Sequence, residues 1–194
     1  MKFELHQTAT APQAAQPILE TTEQSLGFLP NLYRVMAESP AALSAYQAIG
    51  VAQQLSALTT IEQQVVAITM SVANGCQYCV AAHSTLATGL RIDPETLAAL
   101  RDDKPLPQQH LEALRQFTLS TVAHEGWTPD AVLETFLAAG FQRQHIFDVV
   151  SLIAMKTLSN YVNHIADTPL DDDFVKQAWQ PAAHTYPVAA TYHY

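Results

Sequence analysis

Helical spacing dominates this chain and leaves little room for a sheet. Apolar residues recur three and four apart in segment after segment, no run alternates apolar with polar, and only six glycines occur among 194 residues. The punctuation supplies the boundaries. Ile18 to Leu26 and Leu32 to Met36 read as short helices separated by Gly27 and Pro30, and Pro40 opens a third that runs to about Gln54. Thr59 or Thr60 caps a helix with Ile61, Val65, Ile68 and Val72 on one face, and Ala73-Asn74-Gly75 stops it. A helix then runs to about Gly89, and Asp93-Pro94 starts the next. Gln108 to Ala123 follows, then a helix from Thr128-Pro129-Asp130 to Gly140. A long one from about Arg143 to Ala166 carries Ile146, Val149, Val150, Ile153 and Leu158, and Asp171 to Trp179 is expected as the last. The expected fold class is all-α. Residues 1–15 read as an arm, 16–180 as one helical domain and 181–194 as a tail.

Composition narrows the partners. Hydrophobic residues make up 48% of the chain, enough for a sizeable core, and the formal charge of −9 argues against nucleic acid or an anionic membrane as partner. The start, Met1 to Gln7, lacks the apolar stretch of a signal peptide, and no run reaches transmembrane length. A reducing cytoplasm is the expected location. No repeat, charge block or low-complexity segment interrupts the chain.

Both cysteines of the chain sit in one motif, Cys76-Gln77-Tyr78-Cys79, with His83 four residues on. A lone C-x-x-C with no disulfide framework points to a redox dithiol or part of a metal site. On a helix the three side chains fall within roughly a 60° arc, two sulfurs able to meet with an imidazole beside the second. Thiol chemistry needs a thiolate. Cys76 is expected at the mouth of a helix, where unpaired N–H groups favour an anion. His83, one turn beyond Cys79, is expected to take its proton or to stabilise its thiolate as imidazolium.

The segment from Leu58-Thr59-Thr60 through Asn74-Gly75-Cys76-Gln77-Tyr78-Cys79 to His83 resembles the AhpD-like, carboxymuconolactone decarboxylase superfamily, in its alkylhydroperoxidase-like C-x-x-C-x-x-x-H branch. Phe28-Leu29-Pro30-Asn31 with Ser39-Pro40, and Asn160 to Ala166 running into Thr168-Pro169-Leu170-Asp171, extend the likeness to about residues 20–175. The resemblance implies an AhpD-like helical bundle, homo-oligomers with sites near subunit contacts, and thiol peroxidase chemistry. It makes Cys79 the attacking sulfur, Cys76 the resolving one and His83 the relay histidine. Two positions depart from the pattern. Gln64 stands where the characterised members carry a relay glutamate, and an amide orients a proton but does not take one up. Tyr78 stands where the relay has a histidine between the cysteines. Glu62 is two residues from Gln64 and turned about 200° away along a helix.

The assignment of attack to Cys79 also has a physical side. A helix N-terminus is worth about 0.3–2 kcal/mol to an anion, whereas a hydrogen-bonded charged partner contributes about 1.5–3 kcal/mol. His164, in the polar cluster Asn160-Tyr161-Val162-Asn163-His164, is the best second imidazole, though a structural polar knot explains that cluster too. Met36, Met70 and Met155 read as core, Trp127 and Trp179 as packing anchors, and His6, His110, His124, His145, His184 and His193 as surface or capping residues.

The expected function is hydroperoxide reduction in antioxidant defence, with a hydroperoxide as substrate, a thiol or dithiol protein as reductant, a homo-oligomeric assembly, no cofactor and no metal. Alternatives are a redox sensor or scaffold without turnover, a zinc site built on Cys76, Cys79 and His83 with a remote ligand such as His164, and a carboxymuconolactone decarboxylase-type lyase, which leaves the cysteine pair unexplained.

Overall fold

Each helix begins and ends where local chemistry dictates. The computed structural model describes residues 3–181, and among these there are nine α-helices and no strand. They are α1 (Gln16–Leu26), α2 (Asn31–Met36), α3 (Pro40–Ala52), α4 (Thr60–Ala73), α5 (Gln77–Gly89), α6 (Pro94–Arg101), α7 (Gln109–Ala123), α8 (Asp130–Ala138) and α9 (Arg143–Ala166). Proline opens α3 and α6, with Ser39 and Asp93 accepting the first free N–H groups as caps. Thr59 caps α4 through a reciprocal box with Glu62. The all-α expectation holds, with helix boundaries within a residue or two of those read from the punctuation.

One expected element differs. Asp171 to Trp179 does not form an α-helix but a 3-10 turn over Asp172–Gln177. Asp171 caps no helix there, because its carboxylate accepts the Asn31 N–H at 3.0 and 3.2 Å and the Tyr78 hydroxyl at 2.6 Å. The segment is thus held as a strap across the bundle. Phe174 packs edge-on against Phe28 and Tyr78, and the indole N–H of Trp179 donates to the Arg101 carbonyl.

The core has two parts, and α5 and α9 contribute to both. One is built from the apolar faces of α4, α7, α8 and α9, including Val65, Ile68, Leu114, Phe117, Phe136 and Val149. The other gathers α1, α2, α3 and the start of α5, and it contains both cysteines. The segment ahead of α1 is stapled to this second part. Arg34 donates to the carbonyls of Leu5 and His6, and His6 reaches Glu38 at 3.0 Å. His6 is therefore buried and not the surface residue expected. Met36 and Met70 are core, and Met155 lines a cavity wall. Trp179 anchors the strap, but Trp127, just past the turn that ends α7, is 87% exposed and anchors nothing. His145 caps α9 as expected. Most of the expected tail, including Tyr186 to Tyr194, His184 and His193, lies outside the described residues. No helix among the described residues is long and apolar enough to cross a membrane.

Candidate active site

The turn that delivers the cysteines follows from Gly75. At φ +68° it occupies the left-handed region, and the chain closes α4 with Gly75 N–H to Val72 O at 2.9 Å and Cys76 N–H to Ser71 O at 2.8 Å. This paired pattern is a Schellman stop. It hands the chain directly to α5, with Cys76 as its N-terminal cap residue and Cys79 one turn inside. Both thiols are free and 1% exposed.

Helix α9 faces them with a polar stripe. Its buried residues Val149, Leu152, Lys156, Ser159, Asn160 and Asn163 lie at helical spacing, apolar at the start and polar from Lys156 onward. Asn163 Nδ2–H donates to Cys79 Sγ at 3.1 Å and reaches Cys76 Sγ only at 3.9 Å. Lys156, 1% exposed, donates from Nζ to His83 Nε2 at 2.7 Å. His83 in turn donates from Nδ1 to Gln64 Oε1 at 2.8 Å. The amide thereby fixes the tautomer, leaving Nε2 as the acceptor that Lys156 requires.

The two sulfurs separate electrostatically. Burial opposes a thiolate at Cys79, but the Cys76 thiol, the Lys156 ammonium, Asn163 and Ser159 outweigh it and hold the Cys79 thiol well below its ordinary range. Cys76, hydrogen-bonded to Cys79 and buried beside its developing charge, is pushed far up. The helix mouth does not win.

His83 differs from expectation in its charge. Burial first, and then the Lys156 ammonium, push its pKa well below the ordinary value, so the imidazole is neutral. The cation beside Cys79 is Lys156, not a His83 imidazolium. With both ring nitrogens engaged, His83 is also not free to serve as a zinc ligand, and among the described residues no group of three or more His, Cys, Asp and Glu side chains is arranged to hold a metal.

The remaining candidates divide. Tyr78 lies beside the pair, but its hydroxyl points to Asp171 and accepts from the Leu32 N–H at 3.2 Å; burial and the Asp171 carboxylate raise its pKa. It ties the cysteine turn to the strap. His164 is exposed and faces away, while its neighbour Asn163 faces inward. Glu62 is occupied by the Thr59 cap and by His110 Nε2 at 2.7 Å. The residues missed from sequence are Lys156, Asn163 and Asp171. For Lys156 and Asn163 the signal was the switch of the α9 stripe from apolar to polar, since burying an ammonium costs several kcal/mol and calls for a partner.

A cavity of about 290 Å³ opens onto this constellation. Cys79, His83 and Lys156 form its polar end, and Phe28, Tyr33, Tyr46, Leu86, Met155 and Phe174 supply much of its wall. A nucleophilic sulfur, a cation and an apolar chamber thus meet in one place.

The fold has counterparts among known proteins. Residues 34–104 match the model of the carboxymuconolactone decarboxylase family. No curated protein matches the chain. Among solved structures, an uncharacterised peroxidase-related protein with an alkylhydroperoxidase AhpD core from Ralstonia eutropha JMP134 is 22% identical, with a TM-score of 0.81 over 93% of this chain and 97% of that one. A peroxidase-related protein from Silicibacter sp. TM1040 is 21% identical, with a TM-score of 0.75 over 91% and 94%. The debrominase Bmp8 is 20% identical, with a TM-score of 0.72 over 89% and 93%. At these identities the likeness establishes the fold. The chain is thus similar to the carboxymuconolactone decarboxylase family over residues 34–104, which include the C-x-x-C, and its helical fold is similar to that of an AhpD core.

Proposed function

We propose that this chain is a dithiol-dependent hydroperoxide reductase. The observation that carries the reading is the asymmetry of the sulfur pair: Cys79, with Asn163 Nδ2 at 3.1 Å and a buried Lys156 nearby, is poised as thiolate, while Cys76 stays protonated beside it. The Cys79 sulfur attacks the near oxygen of ROOH, the O–O bond breaks, and the products are a sulfenic acid and, after protonation, ROH. Cys76 then attacks the Cys79 sulfur, expelling water and closing the disulfide. An external thiol or dithiol partner returns both cysteines to the reduced state. The apolar wall of the cavity favours organic hydroperoxides over hydrogen peroxide. The reading includes a homo-oligomeric assembly and a reducing, cytoplasmic setting for the reductant.

The test is hydroperoxide consumption with dithiothreitol as reductant, together with sulfenate trapping in single variants. Cys76→Ser should leave a trappable sulfenate on Cys79, and Cys79→Ser should react slowly at Cys76. Rapid sulfenate on Cys76 alone would reverse the roles, and no peroxide consumption by the wild type would remove the reading.

A second reading is thiol-driven reductive dehalogenation of a small aromatic ring, in which ring–halogen becomes ring–hydrogen as the dithiol becomes a disulfide and hydrogen halide leaves. It draws on the aromatic wall formed by Phe28, Tyr33 and Tyr46. The shared fold of the debrominase Bmp8, one structure of which holds 2,3,4-tribromopyrrole, adds to it. Bromide release from brominated pyrroles in the absence of peroxide turnover would favour it.

A further inference from the structure

Breaking the O–O bond leaves a charge that the two cysteines do not neutralise. The electron pair of the broken bond departs on the far oxygen as an alkoxide, a strong base that leaves slowly unless protonated. Gln64 carries no acidic hydrogen at neutral pH. His83 is a neutral imidazole whose N–H is committed to Gln64 at 2.8 Å. Burial raises the Tyr33 and Tyr46 phenols, and the Tyr78 hydroxyl is given to Asp171 at 2.6 Å. Cys76 is reserved for the second step.

Lys156 remains. It is buried, it lines the cavity together with Cys79, and His83 occupies only one of the three donors of an ammonium. It stands two helical turns from Asn163, on the same face of α9, and Asn163 touches the attacking sulfur at 3.1 Å. We propose that Lys156 is the catalytic acid that protonates the leaving oxygen, held in place by the His83–Gln64 pair. This rests on the hydroperoxide reading above. In the balanced step, the Cys79 thiolate, ROOH and the Lys156 ammonium give Cys79 sulfenic acid, ROH and a neutral Lys156 amine; sulfur is oxidised by two electrons and the peroxide reduced by two. In the second step the proton of the Cys76 thiol leaves with the sulfenate oxygen as water. The amine then takes a proton from solvent.

A proton donor and a mere positive charge separate by leaving group. A peracid expels a carboxylate, which departs without help, whereas an alkyl hydroperoxide expels an alkoxide. Sulfenate formation is measured in single turnover in a Cys76→Ser background, with tert-butyl hydroperoxide and peracetic acid, at a pH where Cys79 is ionised in every variant as read by thiolate absorbance. Lys156→Met should slow the alkyl hydroperoxide about 100-fold or more, the scale of general acid catalysis, and the peracid far less. Lys156→Arg keeps the charge but holds its protons much more tightly, so it should preserve Cys79 ionisation and still lose the alkyl hydroperoxide selectively. It also carries the comparison if Lys156→Met fails to fold. Equal slowing of both oxidants, or retention of the wild-type ratio in Lys156→Arg, overturns the acid role while the hydroperoxide reading stands. A wild type inert to both oxidants overturns the two together.

Discussion

Asn163→Leu removes one hydrogen bond from the attacking sulfur while keeping the number and branching of the side-chain heavy atoms. The bond is an N–H donated at 3.1 Å to a sulfur that carries charge, and the same amide is 3.9 Å from Cys76, so the loss falls on Cys79. Hydrogen bonds to charged groups are worth about 1.5–3 kcal/mol, and one pKa unit corresponds to about 1.36 kcal/mol. The Cys79 pKa should therefore rise by roughly one to two units. Because its folded-state pKa lies below the ordinary thiol range, the reactive thiolate persists below that range and is lost as pH falls through the depressed value. In the variant that loss moves to higher pH. The fold should tolerate the change, since Asn163 Oδ1 is buried without a hydrogen-bond partner among the described residues and Leu removes that unpaired acceptor. The assay is the pH dependence of iodoacetamide alkylation at Cys79 in a Cys76→Ser background, where the serine hydroxyl keeps a donor beside the sulfur. An unchanged inflection in a protein that still unfolds cooperatively would refute the assignment of Asn163 as a thiolate donor.

Two further outcomes test the supports of the site. Gln64→Glu replaces the acceptor of the His83 Nδ1–H by a carboxylate, so the His83 pKa should rise toward its ordinary value and peroxide turnover should increase; an unmoved imidazole titration by NMR would place Gln64 outside the relay. At the far end of α4, burial opposes charge on His110, but the Glu62 carboxylate and the Ala139 carbonyl, each at 2.7 Å, raise its pKa, and both ring nitrogens donate only in the imidazolium form. Its contribution to stability is present in full below the ordinary histidine pKa and is lost as pH rises through the raised one. His110→Gln should thus lower the unfolding midpoint more at pH 5 than at pH 8, and an equal loss at both would refute it.

Local signals were enough to place the helices up to Ala166 and the turn that presents the thiols. Capping and stop signals act within a few residues, so Thr59, Gly75 and Asp93 do in the folded chain what their local chemistry dictates. The spacing of Cys76, Cys79 and His83 likewise fixed one stripe on one helix. Glu62 was also legible as turned away, because its direction depends only on helical pitch.

What faces that stripe is set by packing between distant helices. Lys156 and Asn163 come from α9, more than seventy residues along the chain, and their rotation about the helix axis is set by which stripe of α9 packs against α4 and α5. A polar cluster in sequence does not reveal which member turns inward, so His164 and Asn163 exchanged roles between expectation and fold. Asp171 shows the same: its segment was expected as a last helix, and long-range bonds to Asn31 and Tyr78 made it the anchor of a strap. The charge state of His83 is the clearest case. Its pKa depends on burial and on an ammonium 2.7 Å away from another helix, and no local rule contains either.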